Sequence, residues 1–262
     1  MTLADLLAGV IVGALNAYVL LAGADFGGGV WDLLASGPRK SLQRDLVAHA
    51  MGPVWEANHV WLILAVVLLF TCFPAAFARL GIAMHIPLSL VLIGIVLRGA
   101  AFAFLAAVYL TLEAEDPALR EDFRRRAIGS GVALFCSALA ALLLAQGGAP
   151  RVLDGLVFAP WALPLHLLTA IAAITALGTL WRRHYRIARI AAAGQVTLIF
   201  WGWPLSQYPY IVPPDLDIAD AAAPDATLRL VLGALALGAV VLVPSLYVLF
   251  RVFKRHQTSD IR

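Results

Sequence analysis

Seven stretches of this chain are each apolar over a length suited to crossing a bilayer, and no other feature limits the fold as strongly. A spanning helix takes about 20 apolar residues. Such runs extend from about Leu3 to Leu34, Trp55 to Phe73, Leu80 to Leu112, Ala127 to Leu144, Leu156 to Leu180, Tyr185 to Leu205 and Leu228 to Phe250. Of the 262 residues, 62% are hydrophobic and 13% charged, against about half and about a quarter in an ordinary soluble domain. A soluble core of this size could not hide so much apolar surface. The expected fold is therefore an all-α, polytopic membrane helix bundle, a single transmembrane domain over residues 1–262 with about seven transmembrane helices.

The connections sort by charge. Arg39, Lys40 and Arg44 follow the first run, Arg120, Arg124, Arg125 and Arg126 the third, and Arg182, Arg183, Arg186 and Arg189 the fifth. Arg251, Lys254, Arg255 and Arg262 follow the seventh. Fifteen of the nineteen basic residues thus fall on one side. The longest connection on the other side, 206–227, carries Asp215, Asp217, Asp220 and Asp225 and no base. The positive-inside rule places the N-terminus outside and the C-terminus in the cytoplasm, and an odd number of spans agrees. Pro213-Pro214 and the aspartates predict an exposed loop. Trp201, Trp203, Tyr208 and Tyr210 match an interfacial aromatic belt. With the basic residues at segment ends, no nucleic-acid partner is expected. No basic stretch follows Met1 and the first run is long enough to span, so a cleaved signal is not expected.

The two cysteines, Cys72 and Cys136, lie in apolar runs without CxxC, CxxCH or zinc spacing, so no disulfide framework, attached haem or structural zinc is indicated. The sequence contains no P-loop, dinucleotide fingerprint or nucleophile elbow.

What remains is a small set of polar residues inside apolar segments, where they are costly unless paired or functional. Asp25 lies in Ala24-Asp25-Phe26-Gly27-Gly28-Gly29, seven residues before Asp32. That spacing, about 10 Å of helix rise, puts both carboxylates on one face. The glycines suit either close helix packing or a locally opened helix whose backbone holds water. Gly52-Pro53-Val54-Trp55-Glu56-Ala57-Asn58-His59-Val60-Trp61 leads into the second run. Pro53 suits a first helical turn, and Glu56 there would be favoured by the helix dipole alone. Glu56 and His59 share a face. Arg98, inside the third run, calls for a counter-ion, with Asp25 a candidate. His85 and His166 fall on the outer half beside Pro87 and Pro164; satisfying freed carbonyls or clamping a haem iron are the two readings. Asp25, Asp32, Glu56 and His59 at stepped depths form a file suited to proton transfer, and a small stand-alone transporter or proton-conducting protein would use the same residues.

These two stretches resemble subunit II of cytochrome bd quinol oxidases. Phe73-Pro74, Trp201-Gly202-Trp203, Gln207-Tyr208-Pro209-Tyr210, Val212-Pro213-Pro214 and Val243-Pro244-Ser245 resemble that family in the same order. The resemblance implies a heterodimer with a larger, haem-bearing subunit I in the bacterial cytoplasmic (inner) membrane. That complex oxidises quinol and reduces dioxygen to water. Haem b and haem d belong to the partner, so this chain binds no cofactor or metal. The resemblance further implies roles in assembly, a surface for membrane lipids or a quinone, and a proton route through acids at the Asp25 and Glu56 positions. One departure stands out. Leu97-Arg98-Gly99-Ala100-Ala101-Phe102 resembles the latter part of the family's third helix, and Phe104–Glu113 the end of a later one, as if about two helices were removed between them.

Overall fold

In the computed structural model, residues 2–83, 88–148 and 150–256 are described, without the side chains of 52–57, 82–98, 146–151, 246–247 and 249–256. His85 lies outside the described residues, as do the side chains of Glu56 and Arg98.

The chain is almost wholly helical. α1 (Leu3–Leu33) opens on a capping box: the Asp5 amide donates to Thr2 Oγ1 at 3.1 Å, and the Thr2 amide to Asp5 Oδ2 at 2.7 Å. The turn after it passes through Gly37, whose φ of +78° is left-handed. α2 (Lys40–Cys72) then runs unbroken through the whole motif around Glu56. Pro53 and Glu56 sit more than three turns past Lys40, so the expected first helical turn at Pro53 is corrected. The early turns of α2 are helical because Gln43, Val47, Ala50 and Met51 give them a buried face at i, i+4, i+7 and i+8.

α3 (Pro74–Ala83) turns sharply away: Asn58–Cys72 and Pro74–Gly81 form a pair bent by 114°. α4 (Leu88–Glu113) and α5 (Pro117–Gly148) follow, α5 starting with Pro117 behind Asp116, whose Oδ1 accepts the Ala118 amide at 2.8 Å. α6 (Pro150–Phe158) and α7 (Ala162–Trp181) divide the expected fifth run, and α8 (Tyr185–Gln207) is the sixth. β1 (Tyr210–Val212) and β2 (Leu216–Asp217) pair antiparallel. After them come α9 (Ile218–Ala221) and α10 (Asp225–His256). Among the described residues four helices are long and apolar enough to cross a membrane, in α1, α5, α7 and α10, and the bent α2–α3 pair makes a fifth if counted as one span.

Two cores hold the bundle. At the basic end Trp31, Val47, Met51, Phe104, Leu110, Phe123 and Leu180 join α1, α2, α4, α5 and α7. At the other end Leu7, Leu68 and Phe73 meet Leu216, Ile218, Ala221 and Leu228. The connection 206–227 is a folded cap: Pro214, Asp215, Asp220 and Asp225 are exposed, as expected, while Leu216, Ile218 and Ala221 between them are buried. The Ala223 amide donates to the Cys72 carbonyl at 2.7 Å, tying the cap to the end of α2.

The second half of α4 is the centre of the molecule. Phe102 through Val108 and Leu110 are all buried, packed between α1, α5 and α8.

A candidate polar file between the first two helices

α1 and α2 lie antiparallel along most of their length. Their contact is close because Gly28 meets Met51 and Val47, while Gly23 and Gly27 bring α1 onto Leu105, Phe102 and Ala106 of α4. α1 is an unbroken helix through all three glycines. Of the two readings of this stretch, close packing is the one the geometry carries.

That packing sets Asp25 half-buried on the α1–α2 seam, with the Asn58 side chain beside it and His59 near enough to act on its charge. Asn58 is 1% exposed, and its amide lies beside the Asp25 carboxyl but short of well-formed hydrogen-bond geometry with it. His59 is exposed on the chain's surface. It heads a stripe of exposed apolar residues on α2: Val60, Ile63, Val66, Val67 and Phe70. Two turns along α1 from Asp25, Asp32 holds Arg44 of α2 at 3.4 Å. Asp25, Asn58, His59 and Asp32 are therefore brought to one seam. Glu56 is placed on α2 by its backbone, one turn before His59.

The basic end carries a clasp whose arginines, in the sequence, read only as topology signals. Arg39 forks onto Asp122 of α5 at 2.9 and 2.6 Å. Gln43, 3% exposed, donates to Asp122 at 3.2 Å and accepts from Arg126 at 2.8 Å. The Arg126 guanidinium stacks over Trp31 at 5.3 Å and Phe123 at 5.1 Å. Trp31 Nε1 donates to the Ala103 carbonyl at 2.8 Å. Hydrogen bonding from Arg39 holds the Asp122 carboxyl below its ordinary range. The clasp locks α1, α2, α4 and α5 together at the Asp32 end of the seam. The signal for it in the sequence is Gln43, a polar residue on the apolar stripe of α2.

His166 is exposed, and its Nε2 lies 2.7 Å from the Leu156 carbonyl, four residues before Pro160 rather than Pro164, so it contacts a backbone carbonyl but not the one Pro164 would free. Among the described residues no group of three or more His, Cys, Asp or Glu is arranged to hold a metal ion. At the opposite end of the molecule an apolar groove of about 310 Å³ lies between Ala8, Ile11 and Leu15 of α1, Trp201 and Trp203 of α8, and Ile211.

The model of the cytochrome bd terminal oxidase subunit II family matches residues 3–106 and again 101–253. The chain belongs to that family. The two matched stretches overlap inside α4, at residues 101–106. Two proteins of Bacillus subtilis (strain 168) are among its relatives. One carries the name of a putative cytochrome bd menaquinol oxidase subunit II and is 30% identical over 95 residues, 36% of this chain and 28% of its own length. The other, a cytochrome bd ubiquinol oxidase subunit 2, is 33% identical over 87 residues, 33% of this chain and 25% of its own length. The aligned part thus spans about a quarter of either relative. The bd oxidase from Geobacillus thermodenitrificans contains a chain of the same fold, with a TM-score of 0.75 and 20% identity over 97% of this chain and 99% of that one.

Proposed function

We propose that this chain is the accessory subunit of a quinol-oxidising, dioxygen-reducing complex of the bacterial cytoplasmic membrane, and that the α1–α2 seam is its proton entrance. The observation that carries the entrance is the placement of Asp25 opposite Asn58 and His59, with Asp32 and Arg44 at the basic end of the same seam. In this reading the bundle has seven spans with the basic end cytoplasmic, so Asp32 stands at the mouth and Asp25, Glu56 and His59 lie deeper. Titratable groups at stepped depths, bridged by water, make a relay.

The partner is a haem-bearing subunit I, docked on the exposed stripe from His59 to Phe70, which would bury that histidine at the interface. The haems belong to the partner; His166 is occupied with a carbonyl. The apolar groove between Leu15, Trp201 and Trp203 suits a lipid or quinone tail. α4 completes the bundle as a splice of two family helices, its second half filling the place between α1, α5 and α8.

The test is Asp25→Asn and Glu56→Gln, which keep shape and remove the proton site. The expected result is an assembled, haem-replete complex with slowed oxygen reduction and slowed proton uptake. Unchanged turnover in both variants would overturn the relay. A chain that purifies colourless, without any haem-bearing partner, and moves solute in vesicles would overturn the oxidase reading itself.

A further inference from the structure

The turn between α7 and α8 breaks two local preferences at once. α7 closes with paired reverse bonds, His184 N to the Thr179 carbonyl at 2.8 Å and Arg183 N to the Leu180 carbonyl at 3.2 Å. That closure puts one residue in the left-handed region, a place glycine usually takes. Here it is Arg183, at φ +62°, the only non-glycine with positive φ among the described residues. α8 then starts without a side-chain cap on His184, and Arg186 stands in its first turn. The positive end of a helix disfavours a cation there. Two conflicts with local preference in four residues point to a requirement other than folding.

The same corner is short of negative charge. Glu121 of α5 is shared by Arg124 at 2.6 Å, Arg125 at 3.4 Å and Arg183 at 3.5 Å. Among the described residues Arg182 and Arg186 form no ion pair, and both are exposed. The first amides of α8 add donors at its uncapped end. Beside these cations stand exposed apolar side chains: Trp181 at 75%, Ile187 at 50% and Ile190 at 75%. Guanidinium and amide donors next to bare tryptophan and isoleucine match a phosphate with hydrocarbon attached.

We propose that the α7–α8 turn is a binding site for an anionic phospholipid, its phosphate held by Arg182, Arg183 and Arg186 with Arg125 at the rim, and its chains lying on Ile187 and Ile190. The positive-inside rule accounts for the number of cations in this turn but not for their positions, because a base anywhere in a short loop serves topology. A left-handed arginine and a first-turn arginine are positional choices.

The test uses the full chain with whatever co-purifies, in vesicles of phosphatidylcholine alone and with a minor share of phosphatidylglycerol. Phosphatidylglycerol retained after extraction is counted by native mass spectrometry. Arg183→Gly suits the left-handed turn better than arginine does, so this variant melts no lower in phosphatidylcholine. It retains phosphatidylglycerol about fivefold more weakly, the loss expected per arginine at an anionic membrane surface. Arg182→Gln with Arg186→Gln loses more. Equal retention by the wild type and both variants would overturn the site. So would inorganic phosphate giving the same arginine-dependent protection in phosphatidylcholine, which would make the ligand a soluble anion. A steep fall in melting of Arg183→Gly in phosphatidylcholine would assign Arg183 to the Glu121 ion pair instead.

Discussion

Gly27 of α1 lies directly against the backbone carbonyl of Phe102 in α4, so that a methyl group at Gly27 would overlap that oxygen and the Ala106 side chain. Backbone cannot step aside as a flexible side chain can. Gly27→Ala is therefore expected to push α1 off α4 and destabilise the bundle by about 1–3 kcal/mol or more. At Gly29, two residues on, a methyl group would meet nothing within 4 Å. Gly29→Ala should be neutral or stabilise by up to about 1 kcal/mol through helix propensity. Thermal melting of both variants in one detergent checks the contrast. Equal melting would mean that α1 and α4 are not in this contact.

The Arg39–Asp122 fork joins the α1–α2 turn to α5. Its side chains are 38% and 21% exposed, which limits its worth. Asp122→Asn should cost about 1 kcal/mol of stability, the range for a partly exposed bidentate pair. Arg39→Gln should destabilise in the same direction, and the double variant less than the two together. A double-mutant cycle by thermal or denaturant melting measures the coupling. Strict additivity would remove the clasp from the forces holding the basic end.

Glu121 gives the basic end a pH dependence. Hydrogen bonding from Arg124, then the charges of Arg124 and Arg183, hold its carboxyl at about 2, against an ordinary 4.5. A folded value below the unfolded one stabilises the fold where the group is ionised in both states. The contribution is fully present above about 4.5 and is lost as the pH falls toward about 2. The melting difference between the wild type and Glu121→Gln should be widest near neutral pH and close over that acid range. A difference that does not change with pH would show that Glu121 contributes shape rather than charge.

The apolar runs match α1 to within one residue and α10 to within about six, because there the length of a bilayer crossing limits the helix. Where helices leave the apolar zone, run length carries no signal. The turns from Lys40 to Met51 and from Pro117 to Phe123 are polar overall, yet helical. Their register is written in periodic contacts, Gln43, Val47, Ala50 and Met51 in one and Leu119, Phe123 and Ala127 in the other. The cap over residues 206–227 is hidden differently. Leu216, Ile218 and Ala221 are too few and too scattered among aspartates to predict a core, and they are buried because Leu7 of α1, Phe73 at the end of α2 and Ala76 of α3 join them. The seam is legible in part: Asp25, Asp32 and His59 stand out because charge in an apolar run is conspicuous. Asn58, buried and facing Asp25, gives no such signal, because an uncharged amide among tryptophans and a glutamate is unremarkable in sequence.

Asn58 separates a functional seam from a structural one. An amide buried to 1% exposure, with the Asp25 carboxyl beside it and no well-formed hydrogen bond, is a costly thing to keep. Burying it costs on the order of 1–3 kcal/mol more than an apolar group of the same size. Asn58→Leu keeps the branching and the number of side-chain heavy atoms, at a larger volume, and removes the amide. If the seam serves packing alone, this variant should melt higher by about 1 kcal/mol or more, with turnover intact. If the seam carries protons, the amide is kept because it orients water and the Asp25 carboxyl. The same variant should then assemble with full haem content and the same or higher stability, while oxygen-driven proton uptake slows. Asn58→Asp, which restores a polar group able to hold water, should recover part of the rate, and Asn58→Ala should not. Stability gained with unchanged proton uptake in Asn58→Leu would leave Asp25 without a relay neighbour and remove this seam from the proton path.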